Sequence, residues 1–404
     1  MTLKHSNYEL KAMFDLLAAP QPDPLHGVMN RYTQDPRSDK IDLGVGVYRD
    51  RSGHSPIMKA VSKAAIELLS VETTKAYLPL RGDESFLAHM RKLALGAADE
   101  RISEIQSAGG TGAIFLALSV AATAYPDLTV YIGAPTWPSH ISICKHLKLK
   151  HKMVNYFDQA SQRLLPDAML DAVNAARTGD ILVLQGACHN PSGADLSSSE
   201  FEALLGACEQ RGVIPLFDTA YYGLGADIAG DLEPIRAAMR RLPNAMLAIS
   251  CSKMFSMYRE RTGALFFSAP NASAAGNAVA HAETVARNCY SMPPSHGAAV
   301  VARVLANDNL RRSWEQEAAE MRARLAETRA NLMQYGQSVE ALQGVSGQRG
   351  IFSLLPITPQ IVENLAVEHA IYMPQSGRIN IAGFKAGDEE RFTSALQSAL
   401  GHAS

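Results

Sequence analysis

The chain has 404 residues, 47% of them hydrophobic and 19% charged, an ordinary globular composition with length enough for a large core or two domains. A formal net charge of -2 supplies no global basic field, so neither nucleic acid nor a membrane is an expected partner. Five widely spaced cysteines without a C-x-x-C pair fit a reduced interior rather than a disulfide framework or zinc cage, and no metal site is expected.

Residues 1–11 carry charges but no apolar secretion-signal stretch, and no apolar run reaches the roughly 20 residues that span a bilayer. The expectation is a soluble cytoplasmic protein. Residues 1–7 are polar, and 10–17 can form a short helix that Pro20 ends. The prolines of 22–27 predict a stiff extended arm, because a residue before proline avoids the helical region. A helix over 28–35 leads to a strand over 41–48, whose Gly44 and Gly46 mark close backbone approach. Helical spacing recurs over 58–69 and 85–95, on either side of an exposed-looking aromatic segment, 75–79. The glycine-rich stretch 106–112 opens an apolar helix over 113–124. Free amides and the positive dipole end at such a start suit a phosphate, although a plain glycine turn and cap looks the same.

Strands over 128–132, 181–184, 213–217, 245–249 and 263–267 then alternate with helices such as 198–210. The alternation predicts a mostly parallel α/β sheet with helices on both faces and polar motifs just past the strands' carboxyl ends, where such sheets bind ligands. A long helix over 313–335 puts Trp314, Ala318, Met321, Leu325 and Leu332 on one face. The tail mixes strands at 350–355 and 378–381 with helices at 358–369 and 388–400, a smaller α/β unit that the N-terminal strand would join. The expected organisation is an arm, 1–21, a small domain from 22–55 and 316–404, and a large domain, 56–315.

Chemistry concentrates at the strand ends. Ser250-Cys251-Ser252-Lys253, with Arg261 eight residues on, supplies an amine, two hydroxyls and a guanidinium. That set suits a cofactor with an aldehyde, which the amine captures as a Schiff base, and a phosphate, which the others hold. Asp218 follows an apolar strand, where a buried carboxylate needs a cation, and a pyridinium nitrogen would serve. Tyr221 and Asn190 can reach a ring oxygen, and Trp137 is flat enough to stack on a ring. Singly, each has a structural reading: Asp218 as a helix cap, Tyr221 and Trp137 as core aromatics, Asn190 as a turn residue. Jointly, on successive strand ends, they favour a site.

Cys188-His189-Asn190-Pro191-Ser192-Gly193-Ala194-Asp195-Leu196, Asp218-Thr219-Ala220-Tyr221 and Ser252-Lys253-Met254-Phe255-Ser256-Met257-Tyr258-Arg259-Glu260-Arg261 resemble the class I aminotransferases, more narrowly the aspartate and aromatic amino acid aminotransferase subgroup. Segments 42–48, 74–79, 109–112, 135–140, 290–297 and 377–383 extend the similarity from about Pro22 to the C-terminus. The resemblance implies fold-type I architecture, with a mostly parallel seven-stranded sheet in the large domain. It also implies a homodimer with active sites at the subunit interface. It makes Lys253 the Schiff-base lysine for pyridoxal 5'-phosphate and the base of the proton shift. Asp218 would hold the pyridine nitrogen with His140 behind it, Tyr221 and Asn190 the ring oxygen, and Trp137 would stack. Gly110, Thr111, Ser250, Ser252 and Arg261 would hold the phosphate, joined by Tyr77 of the partner subunit. Arg378 would clamp the substrate α-carboxylate beside Gly46, Trp137 and Asn190, a bidentate task that lysine does poorly. Arg287 of the partner subunit would take a distal carboxylate. The implied reaction is ping-pong imine chemistry moving the amino group of aspartate or an aromatic amino acid to 2-oxoglutarate. A lowered pKa is expected for Lys253 from burial and nearby cations.

Four residues depart from the subgroup's pattern: Tyr222 where Gln is usual, Met292 where Asn is common, His26 at a usually apolar position, and Ala76 where a polar residue is frequent. They leave the side-chain specificity open, and with it a decarboxylase or eliminase on the same fold. A non-catalytic ligand-binding protein is the alternative from another class, and the complete polar set argues against it.

Overall fold

The computed structural model describes residues 13–19 and 24–401. Its thirteen strands, in chain order, are β1 (Ile41–Asp42), β2 (Ile102–Ala108), β3 (Thr129–Ala134), β4 (Lys150–Asn155), β5 (Phe157–Asp158), β6 (Arg163–Leu164), β7 (Ile181–Gln185), β8 (Ile214–Thr219), β9 (Ala245–Ser250), β10 (Thr262–Ser268), β11 (Phe352–Leu354), β12 (Ile371–Tyr372) and β13 (Arg378–Asn380). Seven form one sheet in the order β2-β10-β9-β8-β7-β3-β4. β10 runs antiparallel to both neighbours, and the other pairings are parallel.

The central strands are apolar on both faces, and their residues divide by the two-residue pleat. Leu182, Leu184, Phe217, Leu247, Ile249 and Phe266 feed one core, whereas Ile181, Val183, Leu216, Met246, Ala248 and Leu265 feed the other. Helices therefore cover both faces, as the alternation of elements predicts. The apolar helix Gly109–Ala124 packs on β9 and β10.

Two sheet strands escape periodicity analysis. β2 carries Ser103, Glu104, Gln106 and Ser107, yet it is buried because each polar group finds a partner, distant ones for Ser103 and Gln106 and the nearby Gly109 carbonyl for Ser107. Ser103 donates to the Ala275 carbonyl at 2.6 Å, and Gln106 Nε2 to that of Pro294 at 2.8 Å. β4, with Lys150, His151 and Lys152, is an exposed edge strand, where charge is expected.

Outside the large sheet, β1 pairs in parallel with β12, Ile41 opposite Ile371, so the N-terminal strand joins the C-terminal segment. That strand is shorter than 41–48. The chain beyond Asp42 is irregular because it wraps over other elements: a Cβ on Gly46 would sit 2.9 Å from Phe352 Cζ. The expected arm at 22–27 is also corrected. From Pro24 the chain is already helical, Pro24–Gln34, since proline in a first helical turn lacks only an N–H with no intrahelical partner. Residues 22 and 23, and most of the expected arm 1–21, lie outside the described residues. Met13–Leu16 is a single 3-10 turn.

The long helix is Asp308–Tyr335, and Trp314, Ala318, Met321, Leu325 and Leu332 are all buried on it. Trp314 is fully buried, stacks on Phe255 at 4.6 Å, and donates from Nε1 to the Met254 carbonyl at 2.6 Å. It thereby anchors the turn that carries Lys253 to the helix. Trp314→Ala is expected to lower unfolding stability by about 3–5 kcal/mol. Urea denaturation followed by circular dichroism reads this, and an unchanged midpoint would contradict the anchoring.

Candidate active site

β7, β8 and β9 are neighbours in the sheet, and their carboxyl ends present Gln185, Asp218 and Ser250 to one pocket. Asp218 is 7% exposed and lies 3.1 Å from His140 Nε2. His140 Nδ1 is 2.7 Å from the Thr136 hydroxyl. With that hydroxyl donating to Nδ1, the Nε2 proton points at Asp218 and fixes the carboxylate's orientation. Trp137 packs edge-on against the His140 ring at 5.4 Å. Among the described residues no lysine or arginine forms an ion pair with Asp218.

Lys253 enters the same pocket from the turn after β9. Its Nζ stands 5.0 Å from the centre of the Tyr221 ring. Burial lowers its pKa to about 8, with Asp218 opposing the fall and Arg261 adding to it. The amine is therefore easier to deprotonate than an ordinary lysine.

At one end the pocket is an anion cradle. The helix Gly109–Ala124 begins there without a side-chain cap, so its first N–H groups are free. Gly109 has a φ of +70°, and a Cβ on it would lie 2.6 Å from Arg261 Nη2. A Cβ on Gly110 would crowd Ser250 Cβ at 3.2 Å. Thr111 lines the pocket beside Ser250, Ser252 and Arg261, and Arg261 Nη1 is 3.3 Å from Ser252 Oγ.

At the other end Asn190 Nδ2 lies 3.5 Å from the Tyr221 hydroxyl. Gln185, which sequence reasoning missed, holds Asn190 by its main chain, accepting from its N–H and donating to its carbonyl, both at 2.8 Å. Its signal was its place as the last residue of a central strand. Tyr258 was missed too: its hydroxyl accepts the Tyr48 N–H at 2.8 Å and ties 41–48 to the site. Arg378, 7% exposed, rests on the Phe352 ring at 4.3 Å and donates to the Gly44 carbonyl at 2.7 Å. Its Nη1 is 3.5 Å from Asn190 Oδ1, and its Nε has no partner among the described residues. Burial pushes its pKa down. A buried guanidinium without a carboxylate is a ready donor to a carboxylate ligand.

Tyr77 and Arg287 are not brought to this pocket within the chain. Tyr77 is 90% exposed on a surface groove shared with Met292. Arg287 is exposed near the end of the helix Ala272–Tyr290, with no ion-pair partner among the described residues. Of the departures, Tyr222 is wholly buried and does not line the pocket. Met292 Sδ lies 3.3 Å from the Leu78 N–H. His26 and Ala76 are exposed. Among the described residues no cluster of acidic, histidine or cysteine side chains can hold a metal, and no helix is long and apolar enough to cross a membrane.

The family model for class I and II aminotransferases matches residues 38–396. A tyrosine aminotransferase of Rhizobium meliloti is 39% identical over 93% of this chain and 97% of its own length. An aspartate aminotransferase of Escherichia coli is 34% identical over 96% of this chain and 100% of its own. An aromatic-amino-acid aminotransferase of Burkholderia pseudomallei, solved covalently bound to pyridoxal phosphate, superimposes with a TM-score of 0.93 at 32% identity, covering 96% of this chain and 100% of that one. The donor set here fits such a cofactor: a cradle for its phosphate, a carboxylate for its ring nitrogen, a phenol and an amide for its ring oxygen, and an amine for its aldehyde. Below the Lys253 pKa of about 8 the free amine fraction changes tenfold per pH unit. Imine formation by the cofactor-free protein with pyridoxal phosphate, followed by absorbance, is expected to accelerate up to about pH 8 and then level off. A rate still climbing tenfold per unit to pH 10 would mean an ordinary lysine.

Proposed function

This chain belongs to the class I and II aminotransferases, and we propose that within that family it moves the amino group of aromatic amino acids and of aspartate to 2-oxoglutarate. The observation that carries the reading is that Lys253 and Asp218 line one pocket, with Arg378 against Asn190, which lines it too. Relatives named for tyrosine and aromatic amino acids reach 39% identity and one named for aspartate reaches 36%, which supports both donor classes.

When bound, pyridoxal phosphate supplies an aldehyde that captures amines and a ring that takes up the electron pair left when the α-proton departs. The anion cradle of Gly110, Thr111, Ser250, Ser252 and Arg261 would fix its phosphate. Asp218, oriented by His140, would keep the ring nitrogen protonated, and Tyr221 with Asn190 would hold the ring oxygen. Trp137 would cover a ring face. Arg378 would grip the substrate α-carboxylate and aim the α-carbon at Lys253. The Lys253 amine, with its proton affinity lowered by burial, would take the α-proton at Nζ and return it, and the second half-reaction would run these steps backwards.

The same reading makes the protein a cytoplasmic homodimer with Tyr77 and Arg287 each serving the other subunit's pocket. Exposed apolar side chains support this: Ile66, Leu69 and Val71 on the helix Lys59–Val71 are 69%, 69% and 55% exposed. It also divides the chain into a large domain, 56–315, and a small one from 22–55 and 316–404.

A panel of amino donors with 2-oxoglutarate, reading glutamate, tests the assignment. Tyrosine, phenylalanine and aspartate should all give stoichiometric glutamate, whereas decarboxylated or eliminated products without glutamate would refute it. Lys253→Ala should abolish both turnover and the imine absorbance. Arg287→Ala should cut kcat/KM for aspartate by about tenfold to a hundredfold, the value of a charge-assisted contact, and spare phenylalanine. Equal losses for both donors would remove Arg287 from the substrate site.

A further inference from the structure

A second cavity of about 430 Å³ lies between the long helix Asp308–Tyr335, the turn after Tyr222, and residues 346–350. It shares no lining residue with the active-site pocket. Three arginines line it, Arg322 and Arg329 from the helix and Arg349 from the segment leading into β11, and no acidic residue does. The shorter hydrogen bonds of the first two go to main-chain carbonyls, and Arg329 Nη2 also lies 3.5 Å from Ser353 Oγ. Arg322 donates to Gly223 at 3.0 Å, and Arg329 to Gly350 at 2.7 Å and Phe352 at 2.8 Å. None of the three forms an ion pair among the described residues. Asp195, whose charge reaches Arg329 and Arg349, already accepts the N–H groups of Cys188 and His189 at 2.9 and 3.1 Å.

Buried polar atoms on this wall lack partners among the described residues. Gln348 is 5% exposed, and neither its amide nitrogen nor its amide oxygen is hydrogen-bonded. Arg329, also 5% exposed, has an unpartnered Nε. Buried donors without acceptors, beside guanidinium groups that form no ion pair, are costly unless a ligand completes them.

We propose that this cavity binds a small phosphate-bearing anion, such as a phosphate monoester, and that its occupancy tunes the active site. A phosphate offers oxygens in several directions, which suits guanidinium groups standing on different walls, whereas a carboxylate offers two in one plane. The cavity walls continue into the catalytic loops. The Arg349 N–H donates to the Gly193 carbonyl at 2.7 Å, and a Cβ on Gly193 would meet Gln348 Cβ at 3.0 Å. Gly193 lies in the Asn190-Pro191-Ser192-Gly193 loop, and Gly223 follows Tyr221-Tyr222. Phe352, whose carbonyl Arg329 holds, packs its ring on Tyr221 at 5.9 Å and under Arg378 at 4.3 Å. An anion that draws the arginines together therefore acts on the walls of the substrate side.

Calorimetric titration of the holoenzyme, its phosphate cradle filled by bound cofactor, with inorganic phosphate and with glycerol phosphate tests the binding. Chloride at matched ionic strength serves as the control. Saturable binding at one site per chain is expected, weakened about tenfold or more by Arg349→Ala and by Arg322→Gln. No binding above the chloride control, or binding by both variants as tight as by the wild type, would overturn the site. The kinetic arm, which rests on the aminotransferase reading, measures the amino-donor KM with and without glycerol phosphate. A shift in the wild type that Arg349→Ala removes is expected, and binding without any shift would overturn the tuning.

Discussion

A buried amine and a buried carboxylate share one pocket here without collapsing into an ion pair. Lys253 Nζ stands over the Tyr221 ring, and Asp218 faces His140. Opposite charges in a low-dielectric pocket attract strongly, so the separation has to be enforced by the scaffold. Two rigid parts enforce it. Asp218 ends a central strand hydrogen-bonded on both sides, and Lys253 sits in a turn pinned by the Trp314 and Phe255 stack. In our reading, the gap between them would let a flat, charged ring use both groups at once.

The same logic runs through the arginines. Arg378, Arg329 and Arg324 are all nearly buried, and all spend their donors on main-chain carbonyls rather than on carboxylates. Burial lowers the proton affinity of each. Such charges are stabilised by carbonyl dipoles but keep an unfilled preference for an anion. At Arg378 that preference serves substrate binding in our reading. At Arg329 it borders the second cavity, and the shared contact through Phe352 joins the two places physically.

The strand ends were legible because their chemistry conflicts with their surroundings. Asp218, Ser250 and Lys253 interrupt long apolar runs, and interior polar groups need a reason. Gln185 ends the apolar run 181–184 in the same way, but it is a neutral amide that acts only through the Asn190 main chain, so its residue type pointed to no chemistry. β2 was hidden for the opposite reason: its polar side chains imitate a loop until Ala275 and Pro294 supply acceptors from distant parts of the chain. The 22–27 segment misled because proline stiffens an extended chain and a first helical turn equally well.

Composition and the alternation of elements were enough for a mostly parallel α/β sheet, and the motifs at 188–196, 218–221 and 252–261 carried the resemblance that implied the family and its cofactor. Tertiary structure alone decided which strands lie side by side, that Gln185 holds the Asn190 main chain, and that Tyr222 points into the core. The division has a physical cause. Periodicity records which face of an element is apolar, whereas these features depend on contacts made outside the element itself, and no local pattern encodes the partner.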